Sequence, residues 1–170
     1  MDISKVKLFV LDFDGVLTNN KVFLNEDGEE FVSCSRGDGL AFDALRKLGV
    51  KVIILSTEKN KVVSARAKKL QIEAIQGIDN KKSTLLELMK KNQLSKNEVI
   101  FIGNDINDIN AMLLCDISIC PSDSHQLVKE KAKVVLKSKG GESIMREVLE
   151  EHFKIDIYKL LYIYGGKYVN

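Results

Sequence analysis

The stretch "KLFVLDFDGVLTNN" (residues 7–20) decides the fold. Leu8 to Leu11 is a short apolar run, as expected of a strand covered on both faces. It ends in two carboxylates, Asp12 and Asp14, two positions apart. In extended chain that spacing points both side chains to one side. Like charges so close raise each other's pKa unless something cationic sits between them.

Working outward, similar short runs recur and alternate with helical patterns. Strands are expected at 6–13, 51–56, 72–76, 98–103, 116–120 and 133–136. Helices are expected at 40–48, 59–70, 81–92, 106–114 and 125–131. This alternation predicts an α/β fold, a Rossmann-like parallel sheet with helices on both faces. One segment breaks the rhythm. Residues 21–33, "KVFLNEDGEEFVS", place two short strands around Asp27-Gly28, the signal of a β-hairpin directly after the first strand.

The 170 residues suit one domain with a real core, and a single Pro with no Ser/Gly-rich stretch marks no linker. We expect one domain over 1–153 and a tail over 154–170. All four tyrosines (Tyr158, Tyr162, Tyr164, Tyr168) fall in that tail, which either docks as a last helix or reaches a neighbouring subunit. Hydrophobic residues make up 45% and charged residues 29%, with a net charge of +2 and both signs intermixed. That balance argues against nucleic acid as a partner. No apolar run approaches the ~20 residues that cross a membrane. "MDISKVKLFV" carries no signal-peptide cleavage pattern, so a cytoplasmic location is expected. Cys34, Cys115 and Cys120 have no metal-like spacing and are expected to be reduced, buried small hydrophobes.

In open α/β sheets ligands sit beyond the carboxyl ends of the strands. Those ends carry Asp12 and Asp14, then Ser56-Thr57-Glu58, then Lys81-Lys82 at a helix start, then "GNDIND" with Asn104, Asp105 and Asp108. An acid-rich, oxygen-only rim suits Mg2+. A hydroxyl and a lysine beside a metal make a phosphate clamp. With a carboxylate nucleophile, this describes phosphoryl transfer through an aspartyl-phosphate.

"DFDGVLT", Ser56, Lys81 and "GNDIND" resemble, in order and spacing, the four motifs of the haloacid dehalogenase (HAD) superfamily over roughly residues 6–150. The hairpin, "RGDGLAF" (36–42) and "KGGESIMREV" (139–148) narrow the resemblance to the capless sugar-acid phosphatases. These act on 3-deoxy-octulosonate 8-phosphate or on nine-carbon nonulosonate 9-phosphates. The resemblance implies that Asp12 attacks phosphorus and that Asp14 protonates the leaving oxygen while its carbonyl binds Mg2+. Ser56 and Lys81 hold phosphate. Asn104 and Asp105 join Asp12 and Asp14 around the metal, and Asp108 either joins them through water or orients Lys81. Asn104 departs from the family's Asp after this Gly and lacks one negative charge. Asp38, Gly39 and Thr57 are implied to bind substrate, as are Glu58, Arg66 and Lys69, the last two reaching across a subunit boundary. The Glu58, Arg66 and Lys69 set leans the substrate towards a nonulosonate 9-phosphate, such as an N-acylneuraminate type. With no cap, a homotetramer whose neighbours roof each site is expected.

Two other classes remain open on the sequence. The similar tail of some acylneuraminate cytidylyltransferases serves assembly rather than catalysis. A receiver domain also uses Asp, Thr or Ser, Lys and Mg2+, but its phosphorylated Asp ends the third strand, where this chain has Gly77.

Overall fold

Leu8 to Leu11 are at most 1% exposed, as a central strand covered on both faces must be. In the computed structural model, which describes residues 1–163, this strand is β1 (Leu8–Leu11). The hairpin strands β2 (Thr18–Leu24) and β3 (Glu30–Cys34) follow, then α1 (Gly37–Lys47), β4 (Lys51–Leu55), α2 (Val62–Leu70) and β5 (Glu73–Ile75). Next come α3 (Lys81–Lys91), β6 (Val99–Ile102), α4 (Ile109–Met112), β7 (Ile117–Cys120), α5 (Gln126–Lys131), β8 (Val134–Val135) and α6 (Ile144–Glu147). The main sheet has the order β5-β4-β1-β6-β7-β8, and every pairing in it is parallel.

The period-2 alternation of β1 divides its side chains between two cores. Phe9 and Leu11 pack with Phe42 and Leu45 of α1, Val63 and Ala67 of α2, and Ile144 and Met145 of α6. Leu8 and Val10 pack on the other face with Leu85 of α3, Met112 of α4 and Val128 of α5. Helices thus cover both faces, as the sequence predicts. Strand ladders are shorter than expected because they end where the chain turns into the site. Asp12, predicted inside a strand, lies just past β1, its N–H still bonded to the Ile102 carbonyl at 2.9 Å.

The hairpin stands apart as a two-stranded antiparallel sheet pairing Phe23 with Phe31. Its turn is built by Asn25, whose Oδ1 accepts the N–H groups of Asp27 (3.1 Å) and Glu29 (2.8 Å), and by Gly28 at φ +79°. Cys115 and Cys120 are buried and free as expected; Cys34, on the hairpin's last strand, is only half-buried.

Residues 139–153 were not read as an element, yet α6 runs into a π-helical turn, Val148–His152, against α1. The boundary expected at 153 is not a packing boundary. Ile155, Ile157 and Leu160 are 4%, 3% and 2% exposed and belong to the core of Phe9 and Leu11. The tail therefore begins as a docked segment, with a π-helical turn at Lys159–Ile163, while Tyr158 and Tyr162 stay exposed with rings 5.8 Å apart. Tyr164 and Tyr168 lie outside the described residues. A chain ending at Phe153 uncovers this core. It should lose at least about 2 kcal/mol, given the ~1.5–3 kcal/mol each buried aliphatic side chain supplies. Urea denaturation checks this, and an unchanged midpoint would contradict it.

Candidate active site

The chain passes from one side of β1 to the other after β5, so the crevice between β1 and β6 is the switch point of the sheet. Asp12 follows β1, Gly103 and Asn104 follow β6, Ser56 follows β4, and Lys81 is the first residue of α3. A lysine there sits at the positive end of a helix, away from water, and needs compensation. It has two partners. Lys81 Nζ lies 2.7 Å from Asp12 Oδ2 and 2.6 Å from Asp108 Oδ1, and all three side chains are almost fully buried. Burial pushes the ammonium pKa down, but Asp12 and then Asp108 more than reverse it. Burial holds the Asp12 carboxyl above its usual range, helped by Asp108 and opposed by Lys81.

Asp108 is thereby used up. Its Oδ1 takes Lys81, and its Oδ2 accepts the N–H groups of Asn104 (2.9 Å) and Asp105 (3.2 Å). Of the two roles expected for it, metal ligation and orienting Lys81, the second matches these contacts, which also hold the turn after β6. Gly103 permits the approach, since a Cβ there would come within 2.5 Å of Asp108 Cβ. Asp105, also expected to bind metal, is exposed at the rim, and one of its oxygens accepts the Ile106 N–H at 2.7 Å.

Asn104 behaves differently. It is 7% exposed, and its Oδ1 is buried with no hydrogen-bond partner among the described residues. Its amide packs on Gly15, where φ is +78° and any Cβ would collide with it. An orphaned carboxamide oxygen in a pocket also lined by Asp12 and Asp14 is a donor set that fits a hard divalent cation. Among the described residues no group of three Asp, Glu, His or Cys side chains comes together as a metal cage. The carboxamide is what completes the set.

Asp14 is pushed above the usual carboxylate range by burial first and the Glu58 charge second. The Thr18 hydroxyl, donating to it at 3.3 Å, opposes this. Ser56 is buried and its Oγ accepts the Glu58 N–H at 3.1 Å, which leaves its own hydrogen to donate. Asp12, Asp14, Ser56, Thr57, Asn104 and Asp105 line one pocket of about 130 Å³. Asn20 and Asn107 also border it, and sequence reasoning missed both; "TNN", just past the carboxylate pair, was the available signal. The volume is well below the ~300 Å³ at which pockets begin to enclose a whole small ligand. It suits a phosphoryl group and leaves the rest of a substrate at the rim.

The remaining expected substrate residues are not brought to this pocket within one chain. Gly39, Arg66 and Lys69 line a separate groove of about 300 Å³ with Arg36 and Leu70. Arg66 donates to the Ser35 carbonyl and keeps a buried, unpartnered Nε. Glu58 Oε1 accepts the N–H groups of Lys59 (2.6 Å) and Asn60 (2.7 Å) ahead of α2. Asp38 needs correction as a substrate contact. It is fully buried between α1 and α6, and its Oδ1 accepts the Met145 N–H at 3.0 Å.

A buried lysine between two carboxylates at the switch point, with a further acid, Asp14, two residues after Asp12, is chemistry suited to phosphoryl transfer. A family model described as haloacid dehalogenase-like hydrolase matches residues 41–148. The chain belongs to that family and is a phosphoric monoester hydrolase. It is 29% identical over 148 residues to the 3-deoxy-D-manno-octulosonate 8-phosphate phosphatase KdsC of Escherichia coli K12, covering 86% of this chain and 79% of that one. A solved HAD family hydrolase from Streptomyces avermitilis superposes with a TM-score of 0.85 at 39% identity, over 88% of this chain and 86% of that one. The Moraxella catarrhalis 3-deoxy-D-manno-octulosonate 8-phosphate phosphatase, solved with a magnesium ion, a phosphate ion and KDO, gives 0.84 at 29% identity, over 89% and 88%. Magnesium is the cofactor that phosphatases of this family use.

Asp38 supplies a test of the interior. Burial pushes its pKa up to about 6, against the Met145 N–H and Arg66. An acid whose folded pKa is raised favours the fold fully below its unfolded pKa near 4, and that favour is lost as pH rises towards 6. Asp38→Asn keeps an acceptor for Met145 and carries no charge. It should be more stable than the parent at pH 7.5 by about 1–3 kcal/mol, with the gap closing near pH 4. Thermal melts at both pH values check the sign.

Proposed function

We propose that the chain is a magnesium-dependent phosphatase that hydrolyses the phosphate monoester of a sugar acid through an aspartyl-phosphate on Asp12. The observation that carries this reading is the buried Asp12–Lys81–Asp108 chain beside the orphaned Asn104 oxygen. Asp12 attacks phosphorus and the ester P–O bond breaks. Asp14 gives its proton to the departing oxygen, which leaves as the sugar hydroxyl. Asp14, now a carboxylate, takes a proton from water as that water's oxygen attacks phosphorus. The Asp12–phosphorus bond breaks, releasing inorganic phosphate and restoring Asp12. Ser56 donates its hydroxyl hydrogen to a phosphoryl oxygen, and Lys81 offsets negative charge on the nucleophile side throughout. Asp12, the Asp14 carbonyl and Asn104 would hold magnesium, which supplies charge neutralisation at the phosphoryl group when bound.

For the substrate, the Escherichia coli and Moraxella catarrhalis relatives carry the name of 3-deoxy-D-manno-octulosonate 8-phosphate phosphatases, which makes that ester the first candidate. The nine-carbon reading rested on Glu58, Arg66 and Lys69. One Glu58 oxygen already serves the loop before α2, which weakens it. The Arg66 and Lys69 groove keeps it as the second reading, since a guanidinium and an ammonium suit the carboxylate of either acid. Val22, Phe23, Leu24 and Phe31 lie more than half exposed on the hairpin. Together with the small pocket they support the expected homotetramer in which a neighbour covers each site.

Asp12→Asn should fold and lose activity by orders of magnitude on every phosphate ester, because the covalent nucleophile is gone while Asp108 still pairs Lys81. Retention of more than about a tenth of the rate would remove Asp12 from that role. Arg66→Ala should lower kcat/KM on the sugar-acid phosphate by about 10–100-fold and leave p-nitrophenyl phosphate unaffected, which has no carboxylate to meet. If both rates fall together, Arg66 serves only to hold the Ser35 loop.

A further inference from the structure

Asn20 is one of four pocket residues, with Thr57, Asp105 and Asn107, that no step above uses. It sits where the hairpin ladder slips, between the Thr18 and Val22 pairings, and it adopts φ +60°. That left-handed conformation suits glycine without strain, and an L side chain is kept there at a cost of about 1 kcal/mol. Asparagine usually offsets this cost by bonding its own turn. At negative φ, several asparagines of this chain bond the local backbone: Oδ1 of Asn25 accepts from Asp27 and Glu29, that of Asn60 from Val62, and that of Asn80 from Ser83. Among the described residues the Asn20 carboxamide makes no such bond; only its main-chain N–H is engaged, donating to Thr18 Oγ1 at 3.2 Å. The local reason for an asparagine is absent, and the side chain stands exposed at the pocket mouth.

Its position is tied to one end of the reaction. Thr18 Oγ1 accepts from Asn20 and from Gly15 N–H (3.2 Å) and donates to Asp14. Thr18 is fully buried, so a single hydroxyl registers the bulge against the acid. The pocket floor is negative, with Asp12 and Asp14, and its border carries the hydrogen-bonding Asn20, Asn107 and Thr57 beside the exposed Asp105. A carboxamide offers both a donor and an acceptor without adding charge beside a phosphate dianion.

We infer that Asn20 is a specificity residue that hydrogen-bonds the hydroxyl-bearing carbons next to the scissile ester, on the leaving-group side of the pocket. This rests on the phosphatase reading but not on which sugar acid is the substrate. Asn20→Gly is the informative variant, because glycine fits the backbone and the melting temperature should hold or rise. The purified chain with Mg2+ is assayed on a panel of sugar phosphates and on p-nitrophenyl phosphate. For the sugar phosphate that the parent hydrolyses best, the variant should lose about 3–10-fold in kcat/KM, the worth of one neutral hydrogen bond, chiefly through KM. Its rate on p-nitrophenyl phosphate should not change. Equal selectivity in variant and parent would overturn the assignment, as would a parallel loss on both esters. Failure of the parent to hydrolyse any phosphate ester would instead overturn the phosphatase reading on which it rests.

Discussion

A single ammonium group held between two carboxylates in a dry interior organises this molecule. Lys81 reaches Asp12 at the end of β1 and Asp108 after β6, and neither acid could be buried without it. With two carboxyl groups to one ammonium, the trio leaves the site with an attraction for cations while Asp12 is held in place. It also explains two glycines and a turn. Gly103 lets Asp108 approach, and Asp108 in turn gathers the N–H groups of Asn104 and Asp105, which sets Asn104 against Gly15.

Much of this was legible in the sequence because it depends on local pattern. Apolar runs ending in chemistry-bearing residues located β1, β4 and β6, and Asp27-Gly28 located the hairpin. The parallel sheet followed from the alternation of strands with amphipathic stretches. What the pattern could not carry was partner choice. Asp108 and Asp105 look equivalent in "GNDIND", yet one is buried on Lys81 and the other is exposed at a turn. Asp38 looked like part of a binding motif and is spent on the Met145 N–H, more than a hundred residues away. The helix at Ile144–Glu147 was missed because its four residues are too few to show a period. Asn20 was missed because its backbone conformation arises from a ladder irregularity that involves both hairpin strands.

The absence of an inserted cap shapes the rest. A pocket of about 130 Å³ can recognise a phosphoryl group and little more, so discrimination among esters has to be built from the rim. The hairpin contributes Asn20 to that rim and turns its apolar side outward. One element thus places Asn20 beside the pocket and leaves Val22, Phe23, Leu24 and Phe31 exposed.

The order of strands in the main sheet has a consequence for the chain as it is made. β1 is synthesised first but sits at the centre, and its partner β6 follows some 90 residues later. Asp12 leaves the ribosome long before Lys81 and Asp108, the last of which trails it by about 95 residues. At roughly 5–20 residues per second, the nascent chain spends on the order of 5–20 s with an apolar first strand that cannot complete its ladder. Over that interval the segment carrying Asp12 has neither of its buried partners, and nothing resembling the finished site exists until Asp108 has emerged.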